Sequence, residues 1–146
     1  MAIGYSKRAL ADKLGVKPGL RLNVLGAPAS YAALLRPLPA RASLSTRLAA
    51  GAPFIHQFVR QRAQLESEFP RLVEALAPDG MLWISWPKRA SGVPTDLTED
   101  VIRQLGLAQG VVDVKVCAVD ETWSGLKFVR RLADRARASR NPAARP

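Results

Sequence analysis

The chain has 146 residues, which is the length of a single domain, and 48% of them are apolar, enough for a core. Aromatics make up only 6%, so aliphatic packing must dominate. No window reaches the roughly 20 apolar residues of a membrane helix, and the opening MAIGYSKRALADKLGV lacks the apolar run of a secretory signal. The single cysteine, Cys117, excludes an internal disulfide and stands in no metal-ligand spacing. These features predict a cytoplasmic protein with no membrane association and no metal. The net charge of +10 is unevenly placed: residues 1–21 carry five positive and one negative charge, residues 127–146 seven and one, and the middle balances at ten and ten. Basic ends attract nucleic acid without base specificity, or simply solubilise the chain.

In chain order, Ser6 to Leu14 is a short amphipathic segment that Ser6 can cap, with Leu10 and Leu14 as an i,i+4 pair and Gly15 as its stop. Pro18-Gly19 suits the centre of a type II turn. Leu20–Leu25 is the first strand, although Arg21 and Asn23 make it less apolar than a buried strand usually is. Gly26 follows it, and a glycine there can admit a ligand phosphate near a helix N-terminus or merely form a turn. Ser30 can cap a short helix, Tyr31–Leu35. Ala42–Leu48 reads as a short strand and Phe54–Val59 as a better one, with Phe54, His56 and Phe58 on one face and Ile55, Gln57 and Val59 on the other. His56, the sole histidine, has no ligand partners at metal spacing and reads as a packed residue.

Leu65, Phe69, Leu72 and Leu76 make the core stripe of a helical region over Arg60–Ala77, with a kink or restart expected at Pro70. Pro78-Asp79-Gly80 leads into the strand Met81–Trp86, which Pro87 ends. After a polar loop, Asp96 is placed to cap a helix running to about Leu105, with Glu99 at capping-box spacing. Val111–Val119 is the next strand, with Val112, Val114 and Val116 as its apolar face. Trp123–Leu132 returns as an antiparallel last strand. From Ala133 to Pro146 the apolar pattern ends, predicting a basic tail that is either a fraying helix or disordered. The fold class expected is α/β: a three-layer Rossmann-like, methyltransferase-like domain over residues 1–132, with a mostly parallel sheet and an antiparallel last strand.

Three segments, Gly4–Gly19, Ser85–Arg103 and Val112–Arg131, closely resemble an uncharacterised bacterial family described as a domain of unknown function. The resemblance spans about residues 4–131 and implies no activity. Leu76-Ala77-Pro78-Asp79-Gly80 followed by Met81–Pro87, with the closing strand pair, is also similar to class I S-adenosylmethionine-dependent methyltransferases. That likeness implies their fold. Two of their cofactor signatures differ here: the loop Leu25–Ser30 has one glycine, and Leu44–Arg47 supplies no ribose-binding acid.

The candidate site gathers Gly26, Lys88, Arg89, Ser91, Thr95, Asp96, Asp120, Glu121, Thr122, Trp123 and Ser124. If the Met81 and Val111 strands are parallel neighbours, Lys88 and Asp120 emerge at one edge beside the helix N-terminus after Asp96. The same residues also read as a structural network. The expected function is a non-catalytic module binding a small anion or an acidic protein segment, with self-association as a further option and no cofactor. One alternative is a divergent S-adenosylmethionine-dependent methyltransferase, the only reading that brings in S-adenosylmethionine. Another is weak nucleic-acid association through the basic termini.

Overall fold

The computed structural model describes residues 9–135. The expected Ser6 cap and most of the basic tail lie outside them. Residues 132–135 form one helical turn, with Arg135 Nε donating to the Arg130 carbonyl at 2.8 Å.

The strands are β1 (Arg21–Leu25), β2 (Ser43–Ser45), β3 (Ala52–Phe58), β4 (Leu76–Pro87), β5 (Val111–Ala118) and β6 (Trp123–Arg130). The helices are α1 (Leu10–Leu14), α2 (Tyr31–Leu34), α3 (Arg62–Ala75) and α4 (Glu99–Ala108). One sheet of order β2-β1-β3-β4-β6-β5 carries all six strands. β2, β1, β3 and β4 run parallel, and β6 is antiparallel to both its neighbours, as expected. The premise that β4 and β5 pair is corrected, because β6 lies between them. Both are antiparallel to β6, so they still point the same way and their carboxyl ends share one edge.

The alternation read in β3 sorts its side chains onto the two faces. Ile55 and Val59 join a core with Leu65, Phe69 and Leu72 of α3, Ile102 of α4, and Phe128. Phe54 and Phe58 join the opposite core with Leu14 of α1, Tyr31 of α2, Trp83 and Trp123. Pro70 sits inside α3 without ending it. The chain enters β4 at Leu76, earlier than Met81, through an irregular stretch in which Ala52 pairs with Leu76 and Phe54 with Met81. Asn23, out of place in an apolar strand, is buried yet satisfied: its amide donates to the Phe54 carbonyl at 3.1 Å and its oxygen accepts from Ala49 N–H at 3.2 Å.

Two further expectations change. The apolar face expected of Val112, Val114 and Val116 is not packed as a core: Val114 and Val116 are about half exposed because β5 is an edge strand whose register shifts between Asp113 and Lys115. Asp96 does not cap the helix that follows it. Thr98 does, its hydroxyl accepting from Val101 N–H at 3.2 Å, while Asp96 reaches across to accept the Arg62 N–H at 2.7 Å in the first turn of α3. The loop before α4 is thereby tied to the start of α3.

A hydrogen-bonded chain crosses the buried sheet face. The Tyr31 hydroxyl lies 2.7 Å from His56 Nδ1, and His56 Nε2 lies 2.7 Å from Ser85 Oγ. Tyr31 begins α2, His56 is on β3 and Ser85 on β4. The imidazole also stacks on Phe58 with ring centroids 4.3 Å apart. Burial lowers the His56 pKa to about 3 and raises that of Tyr31, so the chain is neutral. One imidazole nitrogen donates and the other accepts.

Two predictions follow from these bonds. The unfolded chain binds a proton at His56 below about pH 6.5, whereas the folded chain refuses it down to about pH 3. Stability contributed by the neutral histidine is therefore complete above about 6.5 and falls as the pH drops toward 3, with a slope of up to about 1.4 kcal/mol per pH unit. Urea melts across that window should show the slope, reduced in His56→Gln. Separately, Asp96→Ala and Thr98→Ala should each cost about 0.5–2 kcal/mol. Hydrogen exchange should then locate the Asp96→Ala loosening at the start of α3 and the Thr98→Ala loosening at the start of α4.

Candidate functional site at the carboxyl edge of the sheet

The chain leaves β1 toward β2 on one side and resumes at β3 on the other. Strand order reverses there, and ligands of open α/β sheets settle outside the strand carboxyl ends at such a point. A cavity of about 350 Å³ lies there, lined by Gly26, Ala27 and Pro28 after β1, Phe58 to Gln61 after β3, and Gln64 and Trp123. Gly26 makes the turn out of β1 with φ +70°, a left-handed conformation that glycine adopts without strain. A side chain there would also stand 3.0 Å from the Phe58 carbonyl oxygen, so its smallness lets the β1 loop lie against the end of β3.

Arg60 is the only ionisable residue on this wall among the described residues. Its guanidinium sits over the Trp123 ring, 5.8 Å from the centroid. The Gln57 amide lies behind Gly26: its nitrogen donates to the Phe58 carbonyl at 3.1 Å, and its buried oxygen has no partner among the described residues. His56 lies in the core beneath and lines no part of the cavity.

A second cavity of about 650 Å³ opens further along the edge, under the loop between β4 and α4. A shallower one of about 450 Å³, lined by Arg60, Gln61, Ala63 and Pro94 to Asp96, joins the residues of the two. Lys88, Arg89, Thr95, Asp96 and Ser124 line the second cavity, whereas Gly26 and Trp123 line the first. Ser91, Asp120, Glu121 and Thr122 line none of the three.

The structure gives three of those four local duties. Ser91 Oγ donates to the Lys88 carbonyl at 2.6 Å and accepts from Val93 N–H. Asp120 accepts from Thr122 and Trp123 N–H, both at 2.8 Å, and the Thr122 carbonyl accepts from Lys88 N–H at 2.7 Å. The turn before β6 is thus fastened to the end of β4. Sequence reasoning missed Phe58, Val59, Arg60, Gln61 and Gln64. The signal for them is the end of the β3 strand, which becomes informative only once β3 is known to lie beside β1.

Among the described residues, no group of three or more histidine, cysteine or carboxylate side chains could hold a metal ion, and no helix is long and apolar enough to cross a membrane. The Cys117 thiol is buried, which raises its pKa and leaves it protonated.

No protein-family model matches the chain, and no curated protein matches it. Solved structures do. A SAM dependent methyltransferase from Aquifex aeolicus aligns with a TM-score of 0.57 at 12% identity, over 82% of this chain and 86% of its own. A ribosomal protein L11 methylase from Lactobacillus delbrueckii subsp. bulgaricus aligns at 0.56 and 15%, over 84% and 75%. The magnesium protoporphyrin IX methyltransferase of Synechocystis PCC 6803, solved with SAH bound, aligns at 0.56 and 11%, over 84% and 78%. Another structure of that protein holds SAM. The expectation of a chain with no cofactor is corrected by this likeness, because similar folds recur with SAM or SAH in place. The chain has the Rossmann-like fold of the S-adenosylmethionine-dependent methyltransferases.

Proposed function

We propose that this chain is a divergent S-adenosylmethionine-binding protein of the methyltransferase type, and that its ligand occupies the cavity between the ends of β1 and β3. The observation that carries the reading is the position of that cavity, at the strand-order reversal and against the one left-handed glycine after β1.

The residues fit such a ligand in place and size, with substitutions. Gln61 and Gln64 bring amides to a wall where none of the described residues is an acid for the ribose diol. Arg60 suits the carboxylate at the amino-acid end, and Trp123 holds its guanidinium in position. Phe58 and Val59 supply an apolar floor that excludes water. The bound cofactor would supply an electrophilic methyl group on a sulfonium sulfur. Among the described residues Arg60 is the only ionisable group on the wall, and none of them supplies a base. An acceptor must therefore arrive already able to attack, as an anion or a neutral amine, and the chain's part is to align and shield it.

Calorimetric titration with S-adenosylmethionine and S-adenosylhomocysteine tests the reading. Saturable binding is expected, weakened about 2–10-fold by Gln64→Ala through one lost hydrogen bond, and by more in Arg60→Ala. Both side chains are exposed, so the variants should melt like the parent. Absence of binding, or binding indifferent to both substitutions, would remove the proposal.

A further inference from the structure

We infer that the second cavity, between the end of β4 and the start of α4, is a separate binding site for a small organic anion: a carboxylate or phosphate monoester carrying an apolar body. The inference stands apart from the ligand of the first cavity. The site has an apolar interior, with Trp86, Val93 and Leu97 on its wall, and Trp86 and Leu97 belong to the buried core. Its volume of about 650 Å³ lies within the range of small-molecule pockets. Lys88 and Arg89 bring two positive charges to the same wall, and Ser124 adds a hydroxyl.

Two carboxylates also line the cavity, and both are committed elsewhere. Asp96 accepts from Arg62 N–H at 2.7 Å. Glu99 is ion-paired with Arg103, whose guanidinium also holds Asp100 at 2.6 Å and Asp113 at 2.9 Å. Arg89, in contrast, makes no ion pair among the described residues. A guanidinium beside an apolar cleft recognises a carboxylate or phosphate through two parallel N–H bonds.

The rim is built before any ligand arrives. Ser91 closes the turn after β4, Thr95 Oγ1 donates to the Arg60 carbonyl at 2.6 Å, and Lys88 N–H is tied to the β6 turn. Such a rim loses little freedom on binding. It favours a compact ligand over an acidic protein segment, which would need an open face.

Tryptophan fluorescence is a direct readout, because Trp86 forms part of the wall. The full chain would be titrated with phenyl phosphate, benzoate and phenol, with and without S-adenosylhomocysteine. Saturable change with phenyl phosphate or benzoate is expected even without the adenosyl ligand, and phenol should bind at least about tenfold more weakly. The stronger of the two anions identifies the headgroup. Arg89→Glu should abolish the signal, and Arg89→Lys should retain part of it while leaving the melting temperature unchanged. No saturable response to either anion, equal binding of phenol, or binding that survives Arg89→Glu would each overturn the inference. Failure of S-adenosylhomocysteine to bind in the same samples would count against the first cavity's ligand alone.

Discussion

The geometry of the carboxyl edge depends on the buried chain from Tyr31 through His56 to Ser85. Its two 2.7 Å contacts link the first residue of α2 to two adjacent strands. Tyr31 stands five residues after Gly26, so the chain also fixes the far end of the loop that walls the first cavity. A buried histidine is costly unless both ring nitrogens are satisfied, and here each has one partner. Its charge is excluded by the same burial that makes the two bonds strong. The sole histidine, read from the sequence as a packed residue, therefore has a supporting role. Phe58 and Trp123, packed edge to face at 5.1 Å, carry that rigidity from the core to the cavity floor.

Around this anchor, the loops are joined crosswise. Asp96 holds the start of α3, Thr95 holds the backbone of Arg60, and Lys88 N–H holds the turn before β6. None of these contacts is local in sequence. Together they set the spacing between a cavity with one arginine and a cavity with a lysine and an arginine. The carboxyl edge thus carries two adjoining spaces of different chemistry, the first bounded by two glutamine amides with one arginine over Trp123, the second by a lysine, an arginine and Trp86. Two such spaces suit a protein that brings two ligands together, and the shallow depression from Gln61 to Pro94 connects them.

The elements were largely legible because their signals are periodic. The β3 alternation and the α3 stripe of Leu65, Phe69 and Leu72 need only neighbours in sequence to be read, and both faces are where that pattern puts them. Partnership was not legible. Asp96 stands three residues before Glu99 and has the form of a local cap, yet its carboxylate serves a helix 34 residues upstream. Val114 and Val116 look like core, but strand order makes β5 an edge. The candidate site was drawn around the β4 loop because charged residues cluster there. The quieter run from Phe58 to Gln64 has no motif, and only the adjacency of β3 to β1 gives it a place beside Gly26.

The central claim is that an adenosyl ligand sits where strand order reverses. Amide hydrogen exchange of the full chain with and without S-adenosylhomocysteine tests it most directly, because it reports where the ligand acts without assuming a reaction. The account predicts slowed exchange at Gly26–Ala27 and across residues 58–64, with little change at the exposed β5 edge. Protection centred on residues 88–98 instead, or none at saturating ligand, would contradict it.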